Sequence, residues 1–105
     1  MDGAFVYILL CADGSYYTGI TRRELQERIS EHERGFYPDC YTFSRRPLTL
    51  VWSSHFDRIE EAVFTERRIK GWSRAKKEAL IRGDYEMLPR LAKKVNWQRH
   101  KPSSH

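Results

Sequence analysis

Cysteine is scarce in this sequence, with only Cys11 and Cys40 among 105 residues. The two do not form a Cys-x-x-Cys pair and have no histidine at zinc-finger spacing, which excludes a zinc site and a disulfide scaffold. No apolar run approaches the roughly 20 residues that span a bilayer. The first residues also lack the basic and cleavage segments of a secretory signal. We therefore expect a cytoplasmic protein with no membrane partner and no zinc.

Acidic residues are outnumbered, since 14 Asp and Glu stand against 19 Lys and Arg, for a formal net charge of +5. This balance favours an anionic partner, and nucleic acid first. Charge alone does not identify the partner, because basic residues on helix exteriors usually form a solvated face. The hydrophobic content of 40% excludes a disordered chain. We expect one domain over residues 1–95 and a polar, flexible tail over residues 96–105.

Two segments around an Asp-Gly pair predict a β-hairpin. Residues 5–11 are rich in β-branched and aromatic side chains, as in a buried strand. Asp13-Gly14 is the signal of a tight turn, so residues 15–20 are expected to form the return strand. Residues 48–56 alternate enough to form a third strand. The sequence thus predicts a small antiparallel sheet.

A helix is predicted over residues 22–34, directly after the hairpin. Thr21 and Glu24 have the spacing of a capping box, in which each side chain accepts a backbone hydrogen bond from the other residue. Arg28 and His32 are four residues apart and therefore lie on one face of this helix. A guanidinium and an imidazole that point the same way suit a site that handles a phosphate.

The rest of the chain predicts a long loop and two or three further helices. Residues 36–47 contain two prolines and follow a glycine, which indicates a loop of the kind that is often functional in small domains. Asp57 and Glu60 predict the cap of a second helix, and Ser73 predicts the cap of a third. Residues 84–95 have the composition of another helical piece. Glycines stand where the first and third helices should end: Gly35 and Gly83.

Glu66 interrupts the apolar stripe of the second predicted helix. The stripe consists of Ile59, Ala62, Val63 and Ile69. Glu66 follows Ile59 by seven residues, which brings it back to within about 20° of the same direction. A carboxylate on a core-facing stripe is costly unless it is paired. It could hold one Mg²⁺ ion completed by waters and phosphate oxygens, or form a salt bridge with a neighbouring Arg or Lys.

The candidate catalytic residues are Tyr7, Tyr17, Arg28, His32 and Glu66. Phosphodiester hydrolysis needs a base for water, cations that balance growing negative charge, and stabilisation of the leaving oxygen. An arginine can bind a phosphate through two parallel hydrogen bonds. A tyrosine titrates near pH 10 and acts as a base only if a cation stabilises its phenolate. Each residue also has a structural explanation: packing for the tyrosines, a glutamate partner for the arginine, and a buried structural role for the histidine.

A series of short motifs runs along the chain in order: Phe5-Val6-Tyr7, Tyr17-Thr18-Gly19, Ile20-Thr21, Leu25, Arg28, His32, Tyr41-Thr42, Arg45-Arg46-Pro47-Leu48, Glu61-Ala62, Glu66 and Ile69-Lys70. In this order and spacing the series resembles the GIY-YIG nuclease family, and within it the small stand-alone bacterial proteins. Short tyrosine-glycine motifs alone are weak signals. The ordered series is specific, and it covers about residues 5–81.

The resemblance implies an α/β (α+β) fold with a small, mainly antiparallel three-stranded central sheet flanked by helices. It also implies metal-dependent cleavage of DNA, one strand at a time. Tyr7 and Tyr17 would be the paired active-site tyrosines, of which one activates water. Arg28 would contact the scissile phosphate, His32 would support a tyrosine or the water, and Glu66 would bind Mg²⁺ or Mn²⁺.

The chain departs from the family pattern at two places. The first motif has Phe5-Val6 in place of Gly-Ile and the second has Thr18 in place of Ile, although both tyrosines and the structural Gly19 remain. Many family nucleases have an asparagine after the metal-binding glutamate, whereas residues 72–78 contain none. The missing asparagine leaves open a weak or altered activity.

We therefore expect a small endonuclease that acts on structured or single-stranded DNA in repair or processing. Two alternatives remain: a nucleic-acid-binding module with little catalysis, for DNA or RNA, and an adaptor without chemistry of its own. No residue pattern predicts an oligomeric state. The candidate nucleic-acid contacts are basic and aromatic residues of the long loop and the later helices: Tyr41, Arg45, Arg46, Lys70, Arg74, Lys76 and Lys77.

Overall fold

A three-stranded antiparallel sheet forms the centre of the structure, with the strand order β2-β1-β3. The computed structural model describes residues 3–84. Its strands are β1 (Ala4–Leu10), β2 (Tyr16–Thr21) and β3 (Thr49–Phe56). The predicted fold class, an α+β arrangement around a small antiparallel sheet, is confirmed. The predicted helical piece beyond Asp84 and the tail of residues 96–105 lie outside the described residues.

The β1–β2 hairpin determines how the two tyrosines face each other. Its turn forms at the predicted Asp-Gly pair, where Gly14 has a φ of +87°, a conformation that costs glycine little. Across the ladder Tyr7 pairs with Gly19, and Leu9 pairs with Tyr17. Since side chains alternate between the faces of a sheet, the two tyrosines lie on one face, one diagonal step apart.

The first helix, α1 (Leu25–Glu33), begins later than predicted, and the capping box at its start is wrong. Thr21 is the last residue of β2, and its hydroxyl accepts a hydrogen bond from the backbone N–H of Arg23. Glu24 is itself the N-cap residue, without a side-chain capping bond. Residues 22–24, which the capping-box spacing assigned to the first helical turn, therefore form the turn between β2 and α1. Gly35, with a φ of +75°, follows the helix as predicted.

Two more helices, α2 (Ile59–Lys70) and α3 (Arg74–Arg82), follow β3. The predicted cap of α2 at Asp57 is wrong, because the N-cap residue is Arg58 and no side chain caps this end. The chain enters the helix one residue later than the Asp-x-x-Glu spacing indicates. The predicted cap of α3 is confirmed, since the Ser73 hydroxyl accepts a hydrogen bond from the backbone N–H three residues later.

The sheet separates two apolar clusters. Removing apolar surface from water stabilises each of them by roughly 25 cal/mol per Å² buried. One face packs against α2 and α3 through fully buried side chains: Val6, Ile8, Phe56, Ala62, Ile69 and Leu80. The other face packs against α1 through a smaller set: Tyr7, Leu9, Cys11, Leu25 and Leu48. Cys11 is the small buried residue that its apolar neighbours predict. A candidate catalytic tyrosine thus belongs to the core.

The predicted loop of residues 36–47 is present and contains only a short 3-10 segment, Phe43–Arg45. It is fastened to the hairpin turn, because the Ala12 N–H donates to the Arg45 carbonyl (2.8 Å) and the Arg45 side chain pairs with Asp13 (3.0 Å). This attachment holds the middle of the loop over the β1–β2 hairpin. None of the described helices combines the length and the apolar character that crossing a membrane requires.

Candidate active site

Tyr7 lies in the central strand with 1% of its surface exposed, and its ring crosses the backbone of β2 at Gly19. A Cβ atom at Gly19 would lie 2.5 Å from the Tyr7 Cζ and Oη atoms. No side chain larger than hydrogen therefore fits at position 19 while the tyrosine keeps its place. The glycine of the second motif thus has a steric reason: it leaves the space that the phenol occupies.

We expect Gly19→Ala to push the Tyr7 ring out of its position. Overpacking of this kind costs about 1–3 kcal/mol of unfolding free energy, and a 1 Å displacement of a catalytic group costs roughly 10²-fold in rate. Urea unfolding and a cleavage assay measure the two effects. Gly71→Ala is the matched control, because the nearest atom to its new Cβ is 3.7 Å away. Normal stability of Gly19→Ala would contradict the close approach.

His32 connects Tyr7 to the long loop by a line of hydrogen bonds. The Tyr7 Oη lies 3.0 Å from His32 Nε2, and His32 Nδ1 lies 3.0 Å from Thr42 Oγ1. The Thr42 hydroxyl donates to Cys40 Sγ (3.5 Å). Since that hydroxyl gives its proton to sulfur, its oxygen accepts from Nδ1–H. Burial, and then the charge of Arg28, lower the pKa of His32 and so favour the neutral imidazole, whose bare Nε2 accepts from the Tyr7 hydroxyl and can receive its proton.

Three tyrosine rings surround the imidazole. The ring centroids of Tyr17, Tyr37 and Tyr7 lie 5.5, 5.3 and 6.0 Å from that of His32, all in edge-on geometry. Burial raises the pKa of Tyr7 to about 12, against the opposing charge of Arg28. Burial also raises the pKa of Tyr17, and its hydrogen bond to Cys40 adds to this effect. Neither phenol ionises near neutral pH without additional positive charge.

The buried imidazole should make the stability of the fold depend on pH. Burial, and then the charge of Arg28, lower the pKa of His32 below its usual 6.5, while Glu31 acts in the opposite direction. The unfolded chain therefore binds the proton first, and the stabilising contribution is complete above about pH 6.5 and is lost as the pH falls through the folded pKa. The other groups that face the imidazole are the three tyrosines around it and Thr42.

We expect the urea concentration at the unfolding midpoint of the wild type to decrease when the pH is lowered from about 7.5 to 5.5. This range lies above the pH at which carboxyl groups titrate. His32→Gln should lower the midpoint at the upper pH but flatten its pH dependence. His55→Gln, at an exposed histidine of β3, is the control and should keep the slope. An unchanged slope in His32→Gln would contradict the assignment of this titration to His32.

Arg28 lies one turn before His32 on α1, and its charge bears on the pKa of Tyr7, Tyr17 and His32. Its guanidinium carbon is 5.4 Å from the centre of the Tyr37 ring. The alternative that a neighbouring glutamate neutralises it is wrong: within residues 3–84 it forms no ion pair, and its buried Nε has no hydrogen-bond partner. A half-buried guanidinium without an acidic partner keeps its positive charge available for an anion such as a phosphate.

Glu66 is buried at 8% exposure on α2, next to the fully buried Ala62 and Ile69. Its Oε2 lies 3.0 Å from Lys70 Nζ, one turn further along the helix. The salt bridge that the sequence allowed is therefore present. The carboxylate also raises the pKa of Tyr7, as the smallest of the contributions. The structure thus brings the charge of Glu66 close enough to Tyr7 to act on its pKa, from a helix that packs on the other face of the sheet.

The described side chains could hold a divalent metal ion through a single carboxylate, that of Glu66, with waters and phosphate oxygens as the other ligands. Among the described residues no three His, Cys, Asp or Glu side chains come close enough to form a metal cluster. Mg²⁺ does not need one, because it commonly binds one or two carboxylates and completes its shell with waters and substrate phosphate. Glu66 is the carboxylate that would hold it, with Arg28 left free for the phosphate. The lone carboxylate is compatible with Mg²⁺ or Mn²⁺ and unsuited to zinc.

A hydrogen-bonded brace beneath the site, formed by Glu31 with Tyr37 and Arg23, was not predicted from the sequence. The buried Glu31 carboxylate accepts hydrogen bonds from both Tyr37 and Arg23. The hydrogen bond from Tyr37, followed by that from Arg23, holds the pKa of this carboxyl below its usual range. The brace fixes the Tyr37 ring against the imidazole. A glutamate directly before the motif histidine was the available signal, but helical spacing indicated Arg28 as its partner.

Thr42 and Cys40 are also site residues that the sequence left without a role. Both lie in the loop of residues 36–47, ten and eight residues beyond His32 in the chain. Hydrogen bonds from Thr42, Tyr17 and the backbone outweigh burial and lower the pKa of Cys40. Thr42 is part of the Tyr41-Thr42 motif, which was the only signal. Nothing local in the sequence indicates that this loop folds back over the hairpin.

Three of the predicted nucleic-acid contacts are engaged in structural interactions. Arg45 pairs with Asp13 and donates to the Tyr41 carbonyl. Arg46 donates to the carbonyl oxygens of Phe43 and Glu33, at 2.8 and 3.3 Å. Arg74 anchors α3 to the hairpin. Its side chain donates to the Gly14 carbonyl, packs over the Tyr16 ring and forms an ion pair with Glu78.

The other four predicted contacts lie at the surface around α2, α3 and the loop. Tyr41 is 43% exposed and stacks nearly parallel to Tyr17, with 6.3 Å between ring centroids and 14° between ring planes. Lys70 pairs with Glu66. Lys76 and Lys77 are half-buried on α3 and form no ion pair within the described part of the chain. Tyr41, Lys70 and Lys77 line one pocket, whereas Lys76 lines another.

A family model described as the GIY-YIG catalytic domain matches residues 3–79. The chain belongs to the GIY-YIG family. Nucleases of this family act on DNA and generally use divalent metal ions. The match begins at the first strand and ends within α3, so it includes every element that contributes to the candidate site.

Several proteins similar to this chain carry the name UPF0213, which specifies no substrate. One from Halobacterium salinarum is 48% identical over 76 residues, which cover 72% of this chain and 96% of the relative. One from Staphylococcus aureus is 42% identical over 82 residues, with 78% and 98% covered. A solution structure of a UPF0213 protein from Bacillus halodurans is 41% identical, with a TM-score of 0.51 and coverage of 86% and 97%. A solution structure of an E. faecalis protein is 29% identical, with a TM-score of 0.56 and coverage of 82% of this chain and 90% of that protein.

Proposed function

We propose that this chain is a metal-dependent endonuclease that hydrolyses phosphodiester bonds in structured or single-stranded DNA, in the setting of DNA repair or processing. One observation carries the proposal: Tyr7, His32 and Thr42 form a hydrogen-bonded line close to the Arg28 guanidinium, which forms no ion pair within residues 3–84. The line offers a path for a proton, and the half-buried guanidinium offers positive charge for a phosphate. The action of the family on DNA supports the substrate class.

Tyr7 is the tyrosine that we assign to water activation. Its raised pKa and the lowered pKa of His32 make a free phenolate unfavourable, so the two proton transfers are concerted. As the water gives its proton to Tyr7 Oη, the phenol passes its own proton to His32 Nε2, 3.0 Å away. The water oxygen then forms the new bond to phosphorus while the bond to the leaving sugar oxygen breaks. The leaving oxygen takes a proton from solvent water, and His32 afterwards releases to solvent the proton that it received.

We assign to Arg28 and Glu66 the stabilisation of the negative charge that develops on the phosphate. The half-buried Arg28 guanidinium binds the phosphate and stabilises the negative charge that grows on the phosphate oxygens. Glu66 is the carboxylate that would hold Mg²⁺ or Mn²⁺, which would supply further positive charge for the phosphate. Lys70 must then release its 3.0 Å bond to Glu66, and it can turn to the DNA backbone instead.

The second candidate is a nucleic-acid-binding module of the same fold. The specific observation in its favour is the salt bridge between Lys70 and Glu66, because an ammonium group on the carboxylate occupies the place of a metal ion. The absence of an asparagine from residues 72–78 points the same way. In this candidate the site binds a phosphate and does not break a bond.

The expected setting is the cytoplasm, with DNA as the partner and RNA as the second substrate to examine. The proposal includes a single domain of residues 1–95 followed by the polar segment 96–105, which carries none of the assigned residues. It assigns no oligomeric state, because one copy supplies every group of the mechanism.

The test is cleavage of end-labelled single-stranded, duplex and branched DNA, and of RNA, by the wild type in Mg²⁺, Mn²⁺ or EDTA. We expect products that require the metal and appear first on single-stranded or branched DNA. Binding that weakens with added salt, without products in any metal, would support the binding module instead. Products of equal yield in EDTA would contradict the metal requirement.

A further inference from the structure

A pocket of about 310 Å³ lies at the outer edge of β2, beside the candidate catalytic residues. It is lined by six residues: Tyr16, Tyr17, Thr18, Tyr41, Lys70 and Lys77. Its size is at the lower limit of sites that take small molecules, roughly 300–1,000 Å³. Because β2 is an outer strand of the sheet, side chains from both faces and from the loop of residues 36–47 meet at this edge. We call it the β2-edge pocket.

The aromatic side of the pocket is formed by Tyr17 and Tyr41. Their rings are tilted by only 14° from one another, with centroids 6.3 Å apart. The Arg45 guanidinium packs at 3.7 Å from the centre of the Tyr41 ring, and Arg45 is itself fixed by Asp13. The Tyr41 ring is 43% exposed and held in one orientation, so the two phenol rings form a rigid aromatic wall of the pocket. Stacking of a base on such a ring contributes about 1–3 kcal/mol.

The polar side of the pocket contains groups that lack a partner within residues 3–84. Lys77 forms no ion pair there, and burial lowers the pKa of its ammonium group. The Thr18 hydroxyl is buried with 2% of the residue exposed, and it has no hydrogen-bond partner. Buried polar groups are usually satisfied. An unpartnered hydroxyl and an unpaired ammonium beside two phenol rings point to a ligand with a flat face and polar edges.

The position of the pocket connects it to the scissile phosphate. Tyr17 belongs to the pocket and contacts the His32 ring, at 5.5 Å between centroids. Lys70 also belongs to the pocket and holds the Glu66 carboxylate at 3.0 Å. A base in the pocket would therefore lie beside the residues that are assigned to the phosphate and to the proton transfer.

We propose that the β2-edge pocket binds the unstacked base of a nucleotide next to the phosphate that is cleaved, and that this makes single-stranded or unpaired DNA the preferred substrate. The inference rests on the proposed nuclease function and names its substrate class. A paired base must be extruded from the duplex at a cost of a few kcal/mol, whereas an unpaired base enters without that cost. The pocket thus selects for the structure of the DNA and not for its sequence.

The test separates the base from the backbone. We compare fluorescence anisotropy, in EDTA, of a short single-stranded oligodeoxynucleotide and of an abasic oligomer with the same phosphates. We expect the wild type to bind the complete strand roughly 5- to 100-fold more tightly, as one stacked base provides. The ratio of the two affinities is the readout, because the loss of a phosphate contact weakens both strands equally.

Two pairs of variants locate the effect. Tyr41→Ala should bring the ratio close to one, whereas Phe36→Ala, at another exposed aromatic residue of the same chain region, should keep it. Lys77→Met should lower the ratio, whereas Lys76→Met, which removes the same charge from the neighbouring position outside the pocket, should lower both affinities and keep the ratio. Thr18→Val serves as a milder probe of the buried hydroxyl.

A cleavage assay on the same strands keeps the two proposals distinguishable. Metal-dependent cleavage together with a ratio of one, or with a ratio that survives both Tyr41→Ala and Lys77→Met, overturns the base pocket and leaves the nuclease standing. A base-dependent ratio without cleavage in any metal supports the pocket and overturns the nuclease. Tighter binding of single-stranded RNA than of DNA of the same sequence overturns DNA as the substrate.

Discussion

Glu66→Gln is expected to abolish metal-dependent cleavage while the affinity for DNA stays nearly unchanged. The substitution keeps the shape of the side chain and an oxygen that Lys70 can still approach, but it removes the negative charge that a divalent ion needs. The charge that a metal ion supplies to a phosphoryl transition state is worth several kcal/mol. With 1.36 kcal/mol for each factor of ten, we expect a loss of roughly 10²–10⁴-fold in rate.

Three measurements make this expectation specific. Single-turnover cleavage gives the rate, anisotropy in EDTA gives the affinity for DNA, and titration with Mn²⁺ gives metal binding. Glu60→Gln is the matched control, since it removes a carboxylate from an exposed position of the same helix. If Glu66→Gln cleaved at the rate of the wild type, Glu66 would not be the metal ligand. If it lost DNA binding as well, the salt bridge to Lys70 would be needed for the structure of the site.

Tyr7→Phe is expected to reduce cleavage by roughly 10²–10⁴-fold, the range for loss of a general base, and to leave DNA binding intact. The ring that fills the space over Gly19 is retained. Only the hydroxyl that lies 3.0 Å from His32 Nε2 is removed. Loss of one buried hydrogen bond costs about 1 kcal/mol of stability, so the variant should fold.

Tyr17→Phe is the comparison that distinguishes the two tyrosines. The Tyr17 hydroxyl donates to Cys40 Sγ, and the partners of the imidazole nitrogens within residues 3–84 are Tyr7 and Thr42, so we expect a smaller loss of rate. The pH dependence provides a second readout. Because His32 must be neutral to receive the proton, kcat/KM should rise with pH through the pKa of the imidazole, which lies below 6.5. His32→Gln should remove this limb, and Tyr17→Phe should keep it. Equal losses in both tyrosine variants would contradict the assignment of Tyr7.

The assignments of Glu66 and Tyr7 fail independently of each other. A metal ion could be held at Glu66 while another group activates water, and a proton could pass from Tyr7 to His32 while the metal is held elsewhere. The two variants therefore test separate parts of the mechanism. Cleavage that is lost in Glu66→Gln and kept in Tyr7→Phe would retain the nuclease and transfer the base to Tyr17 or to a metal-bound water.

Local signals in the sequence predicted the sheet and the ends of several elements correctly. The alternation of residues 5–11 and the Asp-Gly pair determine the hairpin because both act over only a few residues. The cap at Ser73 was predicted correctly for the same reason. The cap at Thr21 was wrong because a threonine can also accept a bond within the turn that follows it, here from the backbone N–H of Arg23. The cap at Asp57 was wrong because the chain enters the helix one residue later, at Arg58.

The sequence by itself determined the family, the hairpin and which side chains could take part in chemistry. Helical spacing placed Arg28 and His32 on one face, and the break in an apolar stripe singled out Glu66. Only the tertiary structure decided which groups are engaged and which are free. Glu31 is used by Tyr37 and Arg23, which leaves Arg28 without an ion pair in the described residues. Such choices depend on which side chains meet across the core, and contacts between distant residues leave no local pattern in a single sequence.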